Sequence, residues 1–189
     1  MKVIEIDHIR LIQPLLATLI TSSYKNDDAI MTASWVMPVS YIPPVVAVAI
    51  SPERYTHRIV KYSGEYAVNI MTYEYLDNVH CAGTISKKNY PDKFIRVGLT
   101  PIRAKKINSI VLKEAIGVLE CKVKDTLITG DHELFVADVI YAYINNDKAY
   151  STHWIPAYYK PLLYISEGHY LTIDSNTVKK MDMPTEDRD

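Results

Sequence analysis

Helical periodicity never persists along this chain, whereas short apolar runs recur between turn residues, a pattern that predicts a mainly β protein. Leu15 to Tyr24 (LLATLITSSY) reads as a strand closed by the polar cluster KNDD, with Ala29 to Val36 as its hairpin partner. Pro38, Pro43 and Pro44 cannot donate to a ladder and are expected to break regular pairing before the next apolar run, Val45 to Ser51. Tyr55 to Tyr62 sets Ile59 and Val60 on one face of a short helix that Ser63 and Gly64 stop. Glu65 to Met71 alternates as a strand does, and Leu76 to Ala82 reads as a second short helix stopped by Gly83. Thr84 to Phe94 (TISKKNYPDKF) is expected to be a polar loop and Arg103 to Asn108 a surface excursion. Ile116 to Val123 fits a core strand and Leu134 to Tyr143 another, while KPLLYISEGHYLTI reads as strand, Gly168 turn, strand. Residues 181–189 form a charged tail expected to be disordered.

Six or more strands with two short helices and no internal repeat fit one antiparallel barrel or sandwich spanning residues 1–189 better than a doubly wound sheet. Composition narrows the class without choosing a function. With 189 residues, 48% of them hydrophobic and 23% charged, the chain can bury a real core. Its 21 basic residues nearly balance 22 acidic ones, so bulk charge favours neither nucleic acid nor an acidic membrane surface, and any anion site must be local. The apolar run after MKVIEIDHIR is interrupted by Gln13 and Pro14 and preceded by Glu5 and Asp7, which reads as structure and not as a leader. No stretch approaches the roughly 18 apolar residues that span a bilayer. Cys81 and Cys121 form no CxxC pair and suit a reducing cytoplasm, as small buried residues.

Several chemistries lack their motifs. There is no GxGxxG, no GxxxxGK[ST] and no GxSxG. The six histidines, His8, His57, His80, His132, His153 and His169, include no pair spaced as in a zinc helix, so no metal site is expected. Hard chemistry, if present, would belong to a cofactor. The stretch from Ala29 to Thr56 is the best place for one. Thr32 and Ser34 alternate with Met31, Ala33 and Trp35, so one face of that strand offers small groups and backbone to a flat ligand. The second run ends in Ser51, Arg54 and Thr56 just ahead of a helix, a corner suited to an anion.

The segments MTASWVMPVSYIPPVVAVAIS, ERYTHRIVKYSGEYAVNI, CAGTISKKNYPDKF, GDHELFVADV and KPLLYISEGHYLTI, in that order from about Pro14 to Ile173, resemble the flavin reductase-like family of FMN-binding split barrels. The resemblance implies a Greek-key split β-barrel with short helical insertions, a homodimer, and FMN (or FAD) near the subunit interface. It also implies an oxidoreductase in which NAD(P)H passes a hydride to the flavin N5 and electrons go onward to a flavin, a ferric complex, oxygen or a redox partner protein. The alternative is a flavoredoxin-type electron carrier reduced by a partner. Carried over by residue, Met31, Thr32, Ala33, Ser34 and Trp35 would line the flavin ring and ribityl chain. Ser51, Arg54 and Thr56 would hold the phosphate, and Ala82, Gly83, Thr84, Ser86 and Lys93 would approach ribityl and phosphate. His132, in the GDH motif, would lie beside flavin and nicotinamide. Three bland readings stand beside these: an ion pair to Glu53 or a helix carboxylate for Arg54, plain core for Trp35, and a turn histidine for His132. One departure is visible, since many relatives have SG where this chain has Ser86 and the bulkier Lys87.

Overall fold

The computed structural model describes residues 9–144, 153–179 and 181. After a 3-10 turn at Ile9–Ile12, the chain runs through β1 (Leu15–Leu16), β2 (Thr18–Tyr24), β3 (Asp27–Ala33), β4 (Val36–Ser40), β5 (Val45–Ile50), α1 (Tyr55–Ser63) and β6 (Glu65–Ile70). It continues through α2 (Leu76–Thr84), α3 (Lys93–Val97), β7 (Pro101–Arg103), β8 (Ile110–Leu112), β9 (Gly117–Thr129), β10 (His132–Ile144), β11 (Leu163–Ser166) and β12 (His169–Leu171). Seven strands make one antiparallel sheet in the order β3-β2-β6-β9-β10-β5-β4, and β1-β11-β12 and β7-β8 form small sheets of their own. The large sheet curls until β3 and β5 come back into contact, and the Ala49 amide donates to the Trp35 carbonyl at 3.0 Å, extending the β4–β5 pairing by one rung. The result is a mainly β split barrel with short helices inserted between strands.

Alternation along the strands sorts their side chains into two cores. Ile20 from β2, Val48 from β5, Tyr66 and Val68 from β6 and Phe135 from β10 fill the barrel. Their neighbours Leu19 and Ala67 join Val79, Ala82, Val97 and Leu112 in a second core on the other face, beneath α2, α3 and β8. Because β2 is buried on both faces, its polar side chains must find internal partners. Thr18 Oγ1 donates to Ala33 O (3.0 Å), Thr21 Oγ1 to Ile110 O (2.7 Å) and Ser22 Oγ to Glu65 O (2.7 Å).

Several elements differ from the sequence expectation for local reasons. Pro38 does not end pairing: it lies inside β4, whose position at the edge of the sheet needs no donor on its outer side, and the register shifts just past it. Gly83 does not stop α2, which runs on to Thr84. Its missing side chain is used for packing instead, since a Cβ there would sit 3.1 Å from that of Thr32. Within the expected polar loop, Lys93 opens α3, which Gly98 ends in a left-handed conformation (φ 70°). The Arg103 to Asn108 excursion is tied down from below. Glu120, fully buried, accepts from the Lys105 and Lys106 amides (2.8 and 2.6 Å), Glu65 accepts from the Asn108 amide (2.7 Å), and Ile107 is buried. Cys121 is buried as expected, burial pushing its thiol up, whereas Cys81 is only half-buried; neither forms a disulfide. No helix among the described residues is long and apolar enough to cross a membrane. The expected tail lies outside the described residues, apart from Met181.

Candidate functional site

Two adjoining hollows, of about 400 and 320 Å³, open where β3, the end of β5, the start of α1 and the C-terminal part of α2 converge. They share Met31, Thr32, Ser51, Arg54, Gly83 and His132. Ala33, Ser34, Trp35 and Thr84 line only the first, and Thr56, Ala82, Ser86 and Lys93 only the second. The fold therefore gathers all fourteen residues that the sequence singled out, from four separate stretches of chain, around one continuous cleft.

Not all of them present a side chain to it. Met31 and Ala33 are buried in the barrel core, which leaves backbone as their contribution to the cleft wall. Ala82 is likewise buried in the second core, and its carbonyl is already taken by Lys93. The Thr32 hydroxyl donates to the Val79 carbonyl, fixing β3 against α2, and the Thr84 hydroxyl folds back onto His80 O at 3.0 Å. Trp35 is not core: about a third of it is exposed (36%), and its ring lies 4.7 Å from that of His132. His132 is held in turn by Asp131 (2.8 Å), and that hydrogen bond keeps the Asp131 carboxyl below the usual range.

At the other end two cations meet with no anion between them. The Arg54 guanidinium pairs with no carboxylate among the described residues and donates to the Gly83 carbonyl at 3.3 Å, so neither Glu53 nor a helix carboxylate holds it. Lys93 is only 4% exposed, and its ammonium donates to the Ala82 carbonyl at 2.7 Å. Burial, with the Arg54 charge adding to it, pushes the Lys93 ammonium down to about 8. Arg54 sits at the N-cap of α1 without capping it by its side chain, and Tyr55 and Thr56 bring the helix's first turn to the cleft. The bulk of Lys87 goes elsewhere: its ammonium bonds Asp27 Oδ1 and the Asp28 carbonyl, each at 2.6 Å, and stays off the cleft wall.

Sequence reasoning missed the wall supplied by the C-terminal hairpin. Tyr164, Ser166 and Tyr170, with Gln13 and His80, complete the first hollow. Pairing of Leu15 with Tyr164 in β1 and β11 carries the N-terminal segment to the same place. The only sequence signal was the strand, Gly168 turn, strand pattern of that segment, and the pairing shifts register between Tyr164 and Ser166. Nothing in that pattern says which face meets the cleft.

A family model described as flavin reductase like domain matches residues 14–173 of the chain. A protein of Archaeoglobus fulgidus is 36% identical over 165 residues, covering 86% of this chain and 90% of its own length. One of Aeropyrum pernix is 30% identical over 156 residues; the match covers 82% of this chain but only 59% of that longer protein. Among solved structures, the flavoredoxin of Methanosarcina acetivorans superposes with a TM-score of 0.86 at 22% identity, covering 98% of this chain and 97% of its own.

Proposed function

Because the chain belongs to the flavin reductase-like family, we propose that it binds FMN in this cleft and works as an NAD(P)H-dependent flavin or ferric reductase, as a homodimer. The observation that carries the reading is the uncompensated pair Arg54 and Lys93 at the start of α1. Burial first, and repulsion by the Arg54 charge second, push Lys93 toward its neutral form. A phosphate dianion reverses both costs. Around it Ser51, Thr56 and Ser86 can supply hydroxyl donors, and the first turn of α1 can supply amides.

The rest of the cleft suits the remainder of such a ligand. The backbone of β3 and the small side chain of Ser34 offer a flat polar wall, and the lack of a side chain at Gly83 lets α2 press against Thr32 and keeps that wall close. Trp35 and His132 pack together at one side, an aromatic edge that can shield a planar ring from water. Bound there, FMN supplies the hydride-accepting and electron-donating chemistry that no side chain of this chain offers. The protein's part is to bind, orient and neutralise, and no proton donor or acceptor on the chain is required for that part.

The second copy is proposed to meet the exposed apolar edge formed by Met37, Val39, Tyr41 and Ile42, of which Tyr41 and Ile42 are 92% and 91% exposed. The cytoplasm, with its nicotinamide pools, is the proposed setting.

The test is the visible spectrum of the purified protein, before and after NADH or NADPH is added without oxygen. A yellow protein that bleaches promptly supports the reductase and identifies its donor. A yellow protein that bleaches only with dithionite overturns nicotinamide dependence and leaves an electron carrier reduced by a partner. A colourless protein that takes up no added FMN overturns flavin binding itself.

A further inference from the structure

Several polar side chains of the cleft already have partners. His80 Nδ1 lies 3.3 Å from the Tyr170 hydroxyl, His132 holds Asp131, and Lys93 holds the Ala82 carbonyl. Gln13 differs in being both buried at its polar atom and unpartnered. Its side-chain carbonyl oxygen, Oε1, is shut off from solvent yet has no hydrogen-bond partner. The other buried side-chain polar atoms left unpartnered among the described residues, on Ser109 and Thr172, belong to residues that do not line the cleft. A buried acceptor with no donor is a standing cost in the free protein, and it is removed by a ligand that brings an N–H or O–H to it.

Position narrows that ligand. Gln13 lines only the first hollow, whereas Lys93, Thr56 and Ser86 line only the second, and a carbonyl acceptor repels an anion, so the group it meets is not the anion. Its companions there are the aromatic side chains of Tyr164, Tyr170 and His80, with the Tyr164 and Tyr170 rings 5.1 Å apart. Aromatic walls take a flat ring, and a lone carbonyl acceptor beside them selects a ring that carries a neutral N–H at its edge.

We propose that Gln13 is a ligand-reading residue: its side-chain carbonyl accepts a hydrogen bond from the N–H of a planar amide or imide seated against Tyr164, Tyr170 and His80. This rests on the flavin reading above, under which two molecules bring such a group, the pyrimidinedione edge of the flavin and the carboxamide of the nicotinamide donor. The residue discriminates rings by hydrogen bonding, since a ring lacking the N–H leaves the carbonyl buried and unpaired.

Gln13→Met keeps the length of the side chain and removes the acceptor. Without ligand this variant is expected to melt at or above the wild-type temperature, because an unsatisfied carbonyl has been replaced by an apolar group. If the flavin is the source, its FMN dissociation constant, read by quenching of flavin fluorescence, rises about tenfold, the worth of one hydrogen bond. Wild-type protein then discriminates against 3-methyl-FMN, which lacks the imide N–H, and the variant does not; the wild-type half of that comparison needs no variant. If the donor is the source, FMN affinity is unchanged and the NADH or NADPH concentration giving half-maximal anaerobic bleaching rises about tenfold. Unchanged FMN affinity together with unchanged donor dependence overturns the proposal while leaving the flavin reading intact. A variant that melts lower and binds both molecules normally also overturns it, making Gln13 a structural amide. Wild-type protein that takes up no FMN overturns both readings at once.

Discussion

Arg54 and Lys93 are both cations facing the same hollow, one exposed and one buried. Arg54→Ala should weaken FMN binding by about 2 kcal/mol, roughly thirtyfold in dissociation constant. Unchanged affinity would remove Arg54 from the site. Lys93 titrates at about 8 in the free protein. Its cationic form is the one a phosphate favours, so FMN affinity is expected to fall as pH rises above about 8, and Lys93→Met should flatten that limb of a binding profile. Stability of the ligand-free protein runs the other way. The unfolded chain keeps the lysine proton up to its ordinary value of 10.5, whereas the folded chain releases it near 8, so the burial cost of the charge fades and stability rises between the two. Thermal melts of wild type and Lys93→Met across that window measure the difference.

At the scale of elements, α1, whose start carries Arg54, is tied to β10. Glu133, the residue after His132 on β10, is buried and reaches back to α1, where His57 Nε2 lies 2.7 Å and Lys61 Nζ 3.0 Å from it. Burial alone would push the Glu133 carboxyl up; the hydrogen bonds and charges of Lys61 and His57 outweigh it and hold the group below the usual range. Its stabilisation is therefore fully present above the ordinary carboxylate value of 4.5 and is lost as pH falls through the lower folded value. Glu133→Gln is expected to cost about 1–3 kcal/mol near neutral pH and to flatten the acid side of the stability curve. Denaturant unfolding at several pH values checks both. Lys61 is half exposed, so most of the loss should come through His57, whose ring also packs edge-on against Phe135 at 5.3 Å. The pairing of β1 with β11 does a similar service for the opposite wall by bringing the N-terminal segment to the C-terminal hairpin.

For the whole molecule, the question is what covers the outer edge of the sheet. β4 is the last strand in its order, and Met37 and Val39 on it continue into Tyr41 and Ile42, all largely exposed. An apolar sheet edge of that kind invites another chain. Light scattering should give twice the mass of one chain, and Ile42→Asp, which buries a charge in the proposed contact, should shift the population toward monomer without lowering the melting temperature of the monomer. A wild-type monomer that still binds FMN tightly would contradict the second copy. Trp35 lies just before β4 in the chain, so loss of the partner is also expected to expose one side of the cleft.

Local rules were enough for most of the longer strands and for bringing Ser51, Arg54 and Thr56 to one corner, but not for β4, β7 or β8. The β-branched and apolar runs of Thr18–Tyr24 and Val45–Ile50, the alternation of Glu65–Ile70, and the Gly64 and Gly168 turns depend on backbone sterics and side-chain period, which travel with the sequence. Ser51, Arg54 and Thr56 lie within six residues at a helix start, so their meeting is a local event. The fate of Pro38 was not local, because a proline is tolerated or refused according to whether its strand lies at an edge, and strand order is a property of the closed sheet. Gly83 looked like a stop signal because its closest contact, Thr32, is 51 residues away. Lys93 reads as one more surface lysine until the packing of α3 against α2 removes its water and lowers its affinity for a proton. The wall of Gln13, Tyr164 and Tyr170 likewise exists only after the two ends of the chain pair. Sequence alone determined most of the longer strands and which hydroxyls and cations share one corner of the chain. Tertiary structure decided which of those groups are dry, which are already bonded and which are left without a partner, because burial and hydrogen-bond satisfaction are set by neighbours distant along the chain.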